Sequence, residues 1–200
     1  MTLLSSLLQR DFYQHNTLEV ARQLLGARLV RLANNQRIAG IITETEAYRG
    51  EEDLGCHARA GKTARTQVMY GPPGHAYIYF TYGMHWCLNC VTEEEGFPAA
   101  VLIRAVLPRE GIDFIARRRA PQPRTLWTNG PAKICQAFDI DRQLNNVDLC
   151  TTDNGLWIER GETIPDHLVT TSARIGLFST PEPWRSIPWR FVAKLPEDKV

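Results

Sequence analysis

Hydrophobic positions along the chain switch between helical and period-two spacing. Asn16-Thr17-Leu18-Glu19 reads as an N-cap with a glutamate three residues on, and Leu18, Ala21, Leu24 and Leu25 follow at helical spacing up to Gly26. An apolar run over residues 27–33, a turn at Asn34-Asn35 and a second run over 38–48 predict a β-hairpin. Residues 76–92 predict another hairpin bent around Gly83, with Phe80 as a core aromatic, and residues 99–107 a further strand. Short helices are expected over 111–119 and from Gly130-Pro131 to Phe138, where proline suits the first helical position. Three short strands are expected over 156–159, 169–175 and 190–193. The pattern predicts an α+β (mixed) fold: one domain over residues 1–200, with helices around the sheet. About ten N-terminal residues and the tail after Pro196 are expected to be loosely ordered.

The second arm of the first hairpin, GIITETEAY over residues 40–48, carries the densest polar chemistry. Period two puts Glu44, Glu46 and Tyr48 on one face, opposite Thr43, Thr45 and Ala47. Paired carboxylates beside an aromatic suit a cleft, but they also suit a solvated sheet edge that discourages pairing. Arg104 interrupts an apolar strand and shares a face with Leu102, so it needs an anion or a carboxylate.

Residues 49–75 form a long polar stretch, a length associated with functional loops. It contains His57 and three cations, Arg59, Lys62 and Arg65, with no acidic neighbour in sequence, so the loop could meet phosphate. In the second hairpin Tyr77 and Tyr79 share a face, and Tyr82-Gly83-Met84 sits at the bend, where an aromatic and a methionine could wedge between bases. Asn89 stands in an apolar strand, either as structural glue or as a reader of something polar. Gly130 and Lys133 at a helix start make an anion site plausible, although the spacing is not that of a nucleotide-binding P-loop.

Composition narrows the class. Five cysteines without regular spacing point to reduced thiols, and Cys87-Leu-Asn-Cys90 lacks the second ligand pair of a zinc site. No metal and no cofactor is expected. No apolar run is long enough to span a bilayer, and the N-terminus has neither a basic region nor a cleavage site of a signal peptide. The formal net charge is +1, against a general polyanion binder, yet residues 104–124 hold six Arg against Glu110 and Asp113, a local phosphate signal. Arg117-Arg118-Arg119 could equally serve a helix C-terminus.

Several blocks in one order carry a resemblance: Glu44-Thr-Glu-Ala-Tyr48, Tyr77-Ile-Tyr-Phe-Thr-Tyr-Gly-Met84, Cys87-Leu-Asn89, Val101-Leu-Ile-Arg104, Gly130-Pro-Ala-Lys-Ile-Cys135 and Ala173-Arg-Ile-Gly176. Together, from about Phe12 to Val192, the chain resembles the alkyladenine (3-methyladenine) DNA glycosylase family. The resemblance implies a single mixed domain with a curved, largely antiparallel sheet. It implies that Glu46 activates the attacking water, with Arg104 and the backbone carbonyl of Ile175 as its other ligands. Tyr48, His57 and Tyr79 would stack the extruded base. Asn89 would crowd out the guanine amino group, and Tyr82 would fill the gap in the duplex with Met84 close by. Lys133, Gly130 and Arg59 are the expected phosphate contacts.

The implied function is a monofunctional glycosylase of base excision repair, a monomer on double-stranded DNA, in the cytoplasm (nucleoid-associated) or nucleus. His85-Trp86 and the composition of the loop over 62–71 depart from the family pattern. Two other readings remain open on the residues alone: a non-catalytic module for damaged or single-stranded nucleic acid, and a nucleoside or sugar hydrolase using Glu44 and Glu46 as an acid pair.

Overall fold

The computed structural model describes residues 6–195. Its centre is one open sheet of eight strands in which every pairing is antiparallel. The first hairpin joins β1 (Arg28–Ala33) to β2 (Gln36–Arg49). Asn34 and Asn35, at φ of 51° and 61°, form its turn, the left-handed pair that matches strand twist. The second hairpin joins β3 (Ala76–Thr81) to β4 (His85–Val91). β5 (Ala99–Glu110) lies between β4 and β2, and runs three residues longer than its apolar stretch.

β2 is the axis of the sheet. β5 pairs along one edge of it. On the other edge β1 pairs with residues 36–41 and β8 (Arg190–Ala193) with residues 44–46. β6 (Leu156–Glu159) pairs with β1, and β7 (Val169–Ser172) with β8. The strand expected over 169–175 therefore stops at Ser172. Residues 173–176 leave the sheet, and Gly176 turns the chain at φ 87°.

One face of the sheet packs on helices. α2 (Thr17–Gln23) is capped by the Asn16 side chain, which accepts the Leu18 N–H at 3.0 Å. Its Ala21 and the following Leu24 join Ile38, Ile42, Ile78, Leu88 and Ile103 in the main core. Thr45 belongs to this face, donating its hydroxyl to the Ala21 carbonyl at 2.8 Å. α3 (Ile112–Arg119) and α4 (Pro131–Phe138) pack beside it, with Ile115, Ile134 and Phe138 in the core.

Much of the arginine surplus is spent there rather than offered as a phosphate patch. Arg118 pairs with Asp139 at 3.2 Å, Arg119 is buried against Gln136, and Arg117 lies 4.6 Å over the Phe114 ring.

Two further expectations change. Leu7 and Leu8, within the stretch expected to be loosely ordered, are buried ahead of α1 (Arg10–Tyr13): Leu7 bridges to Glu159 and packs with Val30, Ala39 and Trp157, and Leu8 joins the main core with Tyr13. The expected tail disorder lies outside the described residues. Phe80 is 44% exposed, not core: it sits near the hairpin tip, with its ring 4.6 Å from that of Trp86. Among the described residues no helix is long and apolar enough to cross a membrane.

Candidate active site

The opposite face of β2 backs a cavity of about 340 Å³. Its walls come from four places: Tyr48 on β2, Gly55–His57 from the long loop, Tyr77, Tyr79 and Asn89 on the second hairpin, and Ile175–Leu177 after β7. Leu102 and Arg104 form the floor from β5, and Pro131 and Ala132 at the start of α4 close the side.

Glu46 lies behind this cavity with no exposed surface. Three donors hold its carboxylate. Tyr48 hydroxyl reaches Oε2 at 2.8 Å, Arg104 Nη1 reaches Oε2 at 3.3 Å, and the Ile175 N–H reaches Oε1 at 2.7 Å. All three donors line the cavity. Burial pushes the Glu46 carboxyl above the ordinary glutamate range, while Arg104, the Ile175 N–H and Tyr48 pull it down and Glu44 adds to the rise. A carboxylate held between such opposing influences has the chemistry of a general base when it is ionised.

Arg104 is placed by an irregularity. The β2–β5 register slips between Ile42 and Thr45, leaving Thr43 and Arg104 outside the paired positions. Its Nε donates to Glu44 at 2.8 Å, and Arg190 Nε donates to the same Glu44 oxygen at 2.6 Å. Arg104, only partly buried, thus meets the carboxylate expected for it twice over. Bonded to two guanidinium groups, Glu44 anchors Arg104 beside Glu46.

The aromatic wall is equally ordered. His57 opens a short 3-10 turn, His57–Ala60, capped by Cys56. Its ring meets Tyr79 edge-on at 4.5 Å, and Nδ1 lies 3.0 Å from the Tyr77 hydroxyl. Burial, aided by the charges of Arg65 and Arg59, lowers the His57 pKa to about 4, so the ring is neutral. Arg65 Nη2 donates toward Nε2 at 3.4 Å and its guanidinium sits 5.1 Å over Tyr79. The three loop cations are therefore not all free for phosphate. Arg65 braces the aromatic wall, Arg59 donates to the Leu54 carbonyl at 2.9 Å, and Lys62 sits 5.6 Å over Tyr70.

Asn89 is both glue and wall. Its Nδ2 donates to the Tyr77 carbonyl at 2.9 Å across the strand pair, and the residue lines the cavity. Tyr82 and Met84 stand 84% and 67% exposed at the hairpin bend, with Tyr82 on the cavity rim. Lys133 donates to Asn129 at 2.7 Å, beside Gly130 at the N-terminus of α4.

Of the residues singled out, Glu46, Tyr48, His57, Tyr79, Tyr82, Asn89, Arg104 and Ile175 meet at this one cavity. Ile175 engages Glu46 through its N–H, a role not anticipated beside that expected for its carbonyl. Also unanticipated are the buried Asp53 and Arg174 and the 85% exposed Phe178, which follows the cavity-lining Leu177. Only the arginine gave a signal, by standing next to Ile175 in a quoted block. The two thiols of the Cys87–Cys90 pair face apart, Cys87 lining the cavity and Cys90 in the core on the other face, and burial raises the pKa of both. Among the described residues no cluster of three His, Cys, Asp or Glu could hold a metal.

The methylpurine-DNA glycosylase family model matches residues 11–196. Curated relatives agree. A protein from Methanocella arvoryzae is 48% identical over 190 residues, covering 94% of this chain and 92% of its own. Others from Carboxydothermus hydrogenoformans and Desulfitobacterium hafniense are 45% and 44% identical, covering 94% and 92% of this chain and 95% and 93% of their own. All three bear the name "Putative 3-methyladenine DNA glycosylase". With the motif blocks converging on one carboxylate behind an aromatic cavity, the chain belongs to the methylpurine-DNA glycosylase family, hydrolases that act on N-glycosyl bonds.

Proposed function

We propose that this protein removes 3-methyladenine and related alkylated purines from double-stranded DNA by water attack, leaving an abasic site. The observation that carries the reading is Glu46: wholly buried, yet held by three groups that all face the aromatic cavity. In the proposed reaction the damaged nucleotide turns out of the duplex, because its glycosidic bond is out of reach within the stack. Tyr48, Tyr79 and His57 stack the base, and Tyr82, with Met84 beside it, fills the gap. Water held by Glu46, Arg104 and the Ile175 carbonyl adds to C1′ as the C1′–N bond breaks. Its proton passes to Glu46, and the bonding electrons leave with the base. A cationic alkylpurine departs neutral and needs no acid. The developing positive charge on the sugar is stabilised by the ionised carboxylate.

No lysine among the described residues lines the cavity, which supports a monofunctional enzyme over one that forms a Schiff base. The start of α4, with Gly130 and Lys133, and Arg59, two residues after the cavity-lining His57, are the proposed phosphate contacts. One glycosylase domain acting as a monomer suffices, since a single duplex would cover the cavity mouth. The bacterial and archaeal relatives support a cytoplasmic, nucleoid-associated setting rather than a nuclear one. Glu44, committed to Arg104 and Arg190, counts against the paired-carboxylate sugar hydrolase.

The test is single-turnover release of 3-methyladenine and 7-methylguanine from methylated duplex by wild type and Glu46→Gln, followed by alkali. Alkali-dependent strand breaks with wild type alone support the reading. Tight lesion binding without release by either protein would favour the non-catalytic module.

A further inference from the structure

Asp53 and Arg174 form an ion pair with both side chains wholly buried, at 2.5 and 2.7 Å. A buried pair is expensive to desolvate and is weak evidence for stability. Its surroundings suggest another use. The same guanidinium donates to the Ala47 carbonyl at 3.0 Å and the Trp184 carbonyl at 3.2 Å. It lies 4.7 Å from the Tyr48 ring centre and 5.1 Å from that of Trp189. Asp53 also accepts the Gly55 N–H at 2.9 Å and the Arg49 N–H at 3.3 Å. The two loops press together so closely that a Cβ on Gly55 would stand 2.6 Å from Leu177 and 2.8 Å from Arg174. Gly55–His57 and Ile175–Leu177 are adjoining stretches of the cavity wall, and the residue after Arg174 carries the N–H that holds Glu46.

We infer that Asp53 and Arg174 are positioning residues: their ion pair clamps the two wall stretches around Tyr48 and so fixes the Ile175 N–H and the Tyr48 hydroxyl on Glu46. Neither residue lines the cavity, so neither needs to touch DNA. Arginine is required because its planar fork serves the carboxylate and two carbonyls while stacking on rings, which an ammonium cannot. The inference rests on the reading of Glu46 as the group that activates water.

Two variants test it: Arg174→Lys, and the neutral double variant Asp53→Asn with Arg174→Gln, which folds without an unpaired charge if the single variant does not. The measurements are single-turnover methylpurine release at saturating enzyme, duplex affinity, and a carbon-13 titration of the Glu46 carboxyl assigned with Glu46→Gln. The rate per folded molecule falls on the order of 100-fold, as for misplacement of a catalytic group by about 1 Å. Duplex affinity stays the same. The Glu46 midpoint moves to higher pH, because a donor favouring its ionised form is lost. The other charged or titratable groups around it, Glu44 and Tyr48 on β2, Arg104 on β5 and Arg190 behind Glu44 on β8, are intact in these variants.

A merely structural pair would lower the melting temperature and leave both the rate per folded molecule and the Glu46 midpoint unchanged. That result overturns the inference. If wild type itself releases no methylpurine, the proposed reaction fails, and the carboxyl titration alone then decides the clamp: a shifted midpoint supports it and an unshifted one refutes it.

Discussion

Arg104 donates its Nε–H to Glu44 at 2.8 Å, so the guanidinium nearest to Glu46 is held from behind by a second carboxylate. The arrangement tunes Glu46 from two directions. Burial raises its pKa, Arg104 opposes this, and Glu44 raises it again. If Glu46 is the proposed general base it works only when ionised, so the rate is expected to fall as pH drops through its raised pKa, at a pH above the ordinary glutamate value. Glu44→Gln removes a like charge and frees Arg104 to act on Glu46, so the acid limb moves to lower pH. Arg104→Gln removes the opposing charge, and the limb moves to higher pH. Loss of this bond also loosens Arg104 beside Glu46, and the rate of Glu44→Gln at neutral pH is expected to fall about 10-fold, less than a full 1 Å misplacement costs. Single-turnover rates across pH check this; shifts in the same direction for both variants would sink the account.

His57 ties protein stability to pH. Its pKa is lowered to about 4 by burial first, then by Arg65 and Arg59, against an unfolded value near 6.5. The folded state therefore binds fewer protons than the unfolded chain between these values. The contribution of His57 is complete above pH 6.5 and is lost as pH falls toward 4. Urea midpoints measured at pH 7, 5.5 and 4 should fall more steeply for wild type than for His57→Gln. Arg65→Gln should lessen the slope by relieving the charge repulsion on the ring. Equal slopes in wild type and His57→Gln would show that the histidine is not held neutral.

The elements were legible where local signals agreed. Asn16 before Thr17, the Asn34-Asn35 turn and Pro131 at a helix start each mark a boundary that the backbone obeys. The period-two faces of TETEAY and of Tyr77 and Tyr79 survive in the folded sheet, since one face of each strand meets the core and the other the cavity. What could not be read is what distant segments do to each other. Phe80 has the composition of a core strand, but its distance from the helices leaves it half-wet. The strand pattern over 169–175 continues past Ser172 in sequence, yet the chain turns away there to bring Ile175 to Glu46. In sequence Asp53 is one of three successive acids, after Glu51 and Glu52, in a polar loop. Its partner is 121 residues away, and no periodicity connects them.

Asn89 makes a prediction about selectivity. It is 3% exposed and pinned to the Tyr77 carbonyl, so its position against the cavity is fixed. On the proposed reading, a base bearing an exocyclic amino group at that wall would meet an amide held in place by its bond to Tyr77. Asn89→Ala opens the space and should raise release of undamaged guanine relative to alkylated adenine by about 10-fold, the scale set by small steric changes in a pocket. Removing the amide also leaves the Tyr77 carbonyl short of a donor, at a stability cost of about 1–3 kcal/mol. Base release from undamaged and methylated duplex, compared at equal folded enzyme, checks the first point. An unchanged ratio would place the discrimination elsewhere.

Tyr82 separates folding from function. It has a positive φ of 51° and is 84% exposed, a combination that costs the fold and returns nothing to it. Left-handed backbone at a residue with a side chain costs about 1–2 kcal/mol, which glycine avoids. Tyr82→Gly should therefore leave the thermal midpoint unchanged or raise it. If the ring fills the stack left by the extruded base, the same substitution should slow excision on the order of 10-fold, from loss of about 1–3 kcal/mol of stacking. Tyr82→Phe keeps the ring and should excise like wild type. Fluorescence of 2-aminopurine opposite the lesion would report whether the gap is filled. A Tyr82→Gly protein that is stable and excises at the wild-type rate would remove the wedge from the mechanism, leaving base capture to Tyr48, His57 and Tyr79.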